Sequence, residues 1–418
     1  MEGLAPWLRG LLKTKKGPEL RPSFPQVHAR PSEREAFAED NNDFACAMYG
    51  ELRQRPGNLF FSPFSIRTAL GMTQVGAKGE TAAQMREALR TSSSDEALDV
   101  ANAEIIQRLN AAGGGKDEIA VANSLWGQDD APLLPGFRDR IAQHYGGEMN
   151  LVDFRRAADA ARVAINQWIA QRTRKKIRDL IPSGALNAET RLVLVNAVYF
   201  KGTWMAQFRR AATRDRPFRL EVGSTVQVPF MYQREHIRYA QAADYQAVDL
   251  AYQGGDLSML VLLPDRKGEL RDLEETLSAQ MLHDCVSRMD IREVKLFLPR
   301  FKSTWGTVNM RDQLTTLGMP FAFSPAQADF SGINGYAPPS ENSLFISDVL
   351  HKAFVEVHEE GTEAAAATEL RMTLGAAPSR VPPVPIFRAD HPFLFAIRDR
   401  KSGAILFLGR MVDPTRES

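Results

Sequence analysis

The chain has only two cysteines in 418 residues, Cys46 and Cys285. Two cannot form the disulfide framework that holds small secreted domains together. Both sit in apolar-patterned surroundings and read as buried free thiols. Histidine is sparse as well. The seven are scattered, with no spacing that would assemble a metal site, so neither a metal nor a cofactor is expected. No apolar run approaches the ~20 residues of a membrane-spanning helix. The greasiest stretches, Arg191–Phe200 and Leu257–Pro264, have the length of buried strands. An excess of one charge is also lacking. Lys and Arg number 52 against 51 Asp and Glu, a net charge of +1, so no global pull towards nucleic acid or an anionic membrane is expected. There is no G-x-S-x-G elbow, no H-E-x-x-H and no C-x-x-C. The glycine run Gly113–Lys116 lacks the spacing and the following Ser or Thr of a phosphate loop. No enzyme class therefore has a motif here.

What the chain does have is a composition for a large core: 44% hydrophobic and 25% charged residues. Residues 1–36 stand apart. Their start, MEGLAPWLRGLLKTKK, places charges inside and after a very short apolar patch, which is not the pattern of a secretory signal peptide. The rest is rich in Pro and charge and reads as a weakly ordered extension. From residue 37 to 415 there is no second linker and no repeat, which favours one large domain. The basic run Arg172–Arg178, RTRKKIR, reads as a solvated helix end.

Helical spacing dominates early, at Arg34–Gln54, Ser62–Ala77 and the stretch DAARVAINQWIAQRTRKKI (159–177). Short alternating or apolar runs dominate later, among them LVLVNAVYF, VKLFLPRFKST, KAFVEVHE and AILFLGRMV. Helices gathered early and strands late predict an α+β fold with large sheets.

One stretch resists a simple reading. Gly361–Thr368, GTEAAAAT, is helix by alanine propensity. It follows the strand-like AFVEVHEE, however, and Glu359, Glu360 and Glu363 would crowd one helix face. Read as a strand, one face carries Thr362, Ala364, Ala366 and Thr368, all small and uncharged. The other carries Glu363, Ala365, Ala367 and Glu369.

Several segments together resemble the serpin family, and in the family's order. Asn58–Met85 is similar to its second helix and following loop, and Leu194–Trp204 to its central strand. Phe330–Ile333, Ile346–Thr368 and Phe387–Pro414 are similar to its C-terminal signatures. The resemblance implies a serpin fold of three sheets, about eight or nine helices and an exposed reactive loop at about residues 359–386. It implies a monomeric suicide substrate: a serine protease cuts the loop, forms an acyl-enzyme and is trapped as the hinge, Glu359–Thr368, inserts into the central sheet. A non-inhibitory, chaperone-like member is the alternative. The resemblance further implies a polar shutter at Ser62, Ser65, Asn196 and His351, and a breach tryptophan at Trp204. Counting about fourteen residues from Gly361, at ~3.3 Å each, puts the reactive bond at Leu374, Gly375 and Ala376. Counting back from the distal HPF gives Arg380 and Val381. The first implies a chymotrypsin-, subtilisin- or elastase-like target, the second a trypsin-like one. By family the protein would be extracellular; with no visible signal peptide, the cytoplasm is the alternative.

Overall fold

A computed structural model describes residues 28–112, 118–130, 132–265, 270–359 and 383–416. Among the described residues, fourteen strands run in chain order: β1 (Leu59–Phe61), β2 (Glu118–Gln128), β3 (Glu148–Val152), β4 (Leu192–Lys201), β5 (Arg214–Arg219), β6 (Thr225–Gln241), β7 (Tyr245–Ala251), β8 (Leu257–Pro264), β9 (Asp290–Pro299), β10 (Phe301–Asn309), β11 (Ile346–Val357), β12 (Ile386–Arg388), β13 (Phe393–Asp399) and β14 (Ile405–Met411). They form a nine-stranded sheet and a five-stranded sheet ordered β10-β11-β4-β2-β3. The three sheets implied by the family pattern are read here as two continuous ladders. The cause is β6, whose 17 residues pair with β5, β7 and β9 and so fuse two of them.

The five-stranded sheet is built around β4. Its sequence LVLVNAVYFK is apolar at nearly every position and is buried from Leu192 to Phe200, as expected for a strand covered on both faces. Its side chains divide by parity. Leu192, Leu194, Val198 and Phe200 join the main core. Val193, Val195 and Ala197 join a second core beneath the helix Phe154–Arg172. β2 runs antiparallel to β4 and β10 antiparallel to β11, but β11 and β4 are parallel, paired from Ile346↔Leu192 to Val355↔Phe200.

Two helices fix what lies on each face of that sheet. Pro63–Gln74 begins with Ser62, whose Oγ accepts the Ser65 N–H, and with Pro63 at the first position, where its missing donor costs nothing. Every residue of this helix is buried. The other helix, Phe154–Arg172, stops five residues short of the end that the sequence periodicity suggests at Ile177. The backbone turns left-handed at Arg174 and Lys175, and Thr173 Oγ donates back to the Ile169 carbonyl while accepting from the Ile177 N–H. This early stop lets Ile177, Leu180 and Ile181 double back onto the sheet, where all three are buried. The Asn166 amide clamps the return through two 2.9 Å hydrogen bonds with the backbone of Ile181.

At the chain start the first helix runs Pro31–Leu52, so order extends upstream of the boundary read at residue 36. Glu33 accepts from the Arg30 backbone and guanidinium, and Glu104 accepts from the Ala29 N–H. These capping contacts are not visible in a Pro- and charge-rich composition.

Candidate functional site

Among the described residues, the parallel seam between β4 and β11 is the one place in the sheet where a parallel pair is flanked on both sides by antiparallel partners. On its main-core face the register sets His351 opposite Asn196. His351 Nδ1 bonds Asn196 Oδ1, and His351 Nε2 accepts the Ser62 backbone N–H at 3.2 Å. Since Nε2 accepts, the proton sits on Nδ1 and the ring is neutral. Asn196 Nδ2 in turn donates to Ser65 Oγ and to Asn123 Oδ1. Ser65 Oγ donates to Asn123 at 2.8 Å, and Ser62 Oγ donates to the Leu406 carbonyl on β14 at 2.7 Å. All four residues expected at a shutter thus meet in one buried network. Two members were missed. Asn123, the lone asparagine of β2, faces Asn196 by antiparallel register. The Leu406 carbonyl is backbone and left no trace in the sequence.

Burial alone depresses the His351 pKa, to about 3. A serine and a histidine lie side by side here without forming a nucleophile and its base. Ser62 Oγ is committed to a carbonyl, the imidazole bonds the Ser62 backbone N–H rather than its hydroxyl, and both residues are sealed from solvent.

Trp204 lies at the far end of the seam. Its ring stacks on Tyr252 at 4.6 Å, and its Nε1 donates to the His358 carbonyl at 2.9 Å. The next residue, Glu359, is 2% exposed although charged. It is held bidentately by Arg300, with Nε to Oε2 at 2.6 Å, and by the Thr213 hydroxyl. Burial works against the charge of Glu359, yet these donors keep its carboxyl below the ordinary carboxylate range. An open cleft of about 550 Å³, walled in part by Lys201, Lys302 and Glu356, lies beside this anchor. Of the expected hinge, only Glu359 is among the described residues. Glu360, Gly361, Thr362, Glu363, Ala364, Ala365, Ala366, Ala367 and Thr368 lie outside them, as do Leu374, Gly375, Ala376, Arg380 and Val381.

Comparison with known proteins agrees with this geometry. A family model described as serpin (serine protease inhibitor) matches residues 39–414. Human leukocyte elastase inhibitor is 38% identical over 393 residues, covering 91% of this chain and all of that protein. An uncharacterised serpin-like protein of Thermococcus kodakarensis is 40% identical over 374 residues, covering 89% and 84%. Among solved structures, uncleaved ovalbumin superposes with a TM-score of 0.79 at 31% identity, covering 90% of this chain and all of that one. Native tengpin, a thermophilic serpin, gives 0.79 at 28% identity, covering 91% and 94%.

The neutral histidine makes the seam pH-sensitive. With a folded-state pKa near 3 against 6.5 when unfolded, the unfolded chain binds the extra proton between these values. Stability from this group is complete above pH 6.5 and is lost as pH falls, by about 1.4 kcal/mol per pH unit. The expected outcome is a lower thermal midpoint at pH 5 than at pH 7.5, with a flatter profile in His351→Gln. Equal slopes for the two proteins would remove His351 as the source.

Proposed function

The chain belongs to the serpin family of serine protease inhibitors, and on that premise we propose that it is a suicide-substrate inhibitor that traps its target by inserting its own loop between β4 and β11. The observation that carries this is the parallel seam. The chain leaves β11 at the same end as the Trp204 and Glu359 anchor. A strand folding back from that point would run antiparallel to β11 and to β4 alike. One parallel pairing would give way to two antiparallel ones, which are slightly more stable per residue, and a new ladder of hydrogen bonds would form.

The chemistry begins as proteolysis. The protease serine attacks the scissile carbonyl and the amine of the next residue leaves, giving an ester between loop and enzyme. The cut frees the loop from its distal tether at β12, and the hinge enters the seam. The tethered protease is then dragged along the sheet, and distortion of its oxyanion hole stalls deacylation. The serpin performs no catalysis; it releases stored conformational energy. Insertion demands an inward face without charge, and Thr362, Ala364, Ala366 and Thr368 meet that demand by alternation. Both cysteines are free thiols, pushed up by burial to about 12 at Cys46 and about 11 at Cys285. Such inert thiols fit the extracellular and the cytoplasmic reading alike.

Thr362→Arg puts a charge on the inserting face, at a cost of several kcal/mol. The variant is expected to be cut in its loop while forming little SDS-stable complex. Complex in the parental proportion would refute insertion.

The target class follows from where the bond breaks. The count from the hinge glycine leads to Leu374–Gly375, because residues added before the cut would slacken the pull at ~3.3 Å each, whereas residues added after it leave with the distal fragment. Leu374 suits an apolar specificity pocket, such as that of an elastase- or chymotrypsin-like protease. The C-terminal fragment from the trapped complex is therefore expected to begin at Gly375 or Ala376 by mass. A start at Val381 would mean a cut after Arg380 and a trypsin-like target.

A further inference from the structure

The outer face of the seam carries a second fastening. Phe354 of β11 and Tyr199 of β4 are register partners, and their rings stack across the junction at 5.1 Å between centroids and 30° between planes. Both are buried, Tyr199 at 1% exposure and Phe354 at 6%. Each outer end of the stack carries a cation. Lys176, from the return segment after the helix Phe154–Arg172, lies 5.5 Å over the Tyr199 ring, and Lys302 of β10 lies 5.5 Å over Phe354. Four elements are thus tied in one row: return segment, β4, β11 and β10.

We infer that this cation–aromatic–aromatic–cation row is the latch that sets how readily the seam parts, and that Phe354 and Tyr199 are the positioning residues of the insertion step. Two geometric facts support it. Phe354 lies three residues from the end of β11, whereas His351 lies six, so a strand entering from that end meets the ring stack before the histidine network. In addition, a single intervening strand would move β4 and β11 from ~4.8 Å to ~9.6 Å apart, a separation at which rings now 5.1 Å apart cannot stay in contact. The stack must break completely before the histidine–asparagine pair is exposed. An aromatic pair of this kind contributes ~0.5–1.5 kcal/mol beyond its buried area, enough to change an opening equilibrium severalfold. The consequence for protease trapping rests on the insertion reading; the latch itself does not.

The test is hydrogen–deuterium exchange of the uncleaved full chain without protease, read on peptides covering β4 and β11. Phe354→Val keeps a strand-forming residue but removes the ring, and should raise seam exchange roughly threefold to tenfold. Tyr199→Phe keeps the stack and should exchange like the parent. Phe218→Leu, at a fully buried site on β5 of the other sheet, should leave seam peptides unchanged at the same denaturant-free conditions. Parental seam exchange in Phe354→Val overturns the latch. So does a rise in Tyr199→Phe as large as in Phe354→Val, which would assign the effect to the hydroxyl. So does an equal rise in Phe218→Leu, which would make it global. If Phe354→Val alone loosens the seam while neither it nor the parent traps an elastase-like protease, the latch stands and the inhibitory reading falls.

Discussion

A parallel strand pair inside an otherwise antiparallel neighbourhood is the constraint on which the rest of this structure depends. β4 and β11 meet along Leu192–Phe200 and Ile346–Val355, and nearly everything unusual in the fold bears on that line. The wholly buried helix Pro63–Gln74 brings Ser62 and Ser65 to one face of it. The return segment after Phe154–Arg172 covers the other with Ile177, Leu180 and Ile181. Trp204, Thr213 and Arg300 close its end by gripping His358 and Glu359. The seam is therefore fastened by contacts of three kinds: hydrogen bonds, stacked rings and the Arg300–Glu359 ion pair.

These fastenings differ in physical character. The His351 network is polar, buried and fully satisfied, so its energy lies chiefly in the penalty for leaving any member unpaired. Glu359 is a buried charge that stays ionised only because Arg300 and Thr213 supply three donor contacts; separating them would leave a bare carboxylate, which is far costlier than the pair's net worth. The Tyr199–Phe354 stack is apolar and yields to distance alone. A strand entering the seam can replace backbone hydrogen bonds as it advances, but not the ring stack or the ion pair. This separates the steps that carry a barrier from those that do not.

Much of this was legible in the sequence, for identifiable reasons. Ser62, Ser65, Asn196 and His351, the set that the serpin resemblance implied, meet in one buried network. Trp204 lies beside the end of β11, bonded to the His358 carbonyl. What escaped depends on pairings distant in sequence. Asn123 joins only through its register with Asn196, and Thr213, just before β5, and Arg300, between β9 and β10, carry no local signal of their meeting Glu359. The helix end at Arg172 was misread because the periodicity continues through Ile177, while the turn is set by Thr173 and two left-handed residues, neither of them glycine. Likewise the fusion of two sheets through β6 is a matter of strand length, which alternation alone does not fix.

Central to the account is that the uncut molecule holds its seam closed against a more stable arrangement. The most direct measurement is the thermal midpoint of the full chain before and after a single clean cut between residues 369 and 381. Insertion of the freed hinge predicts a rise of roughly tens of degrees, well beyond the few degrees that a single side-chain change brings in a chain of this size. An unchanged midpoint after complete cleavage would contradict it, because the seam would then already be in its most stable state.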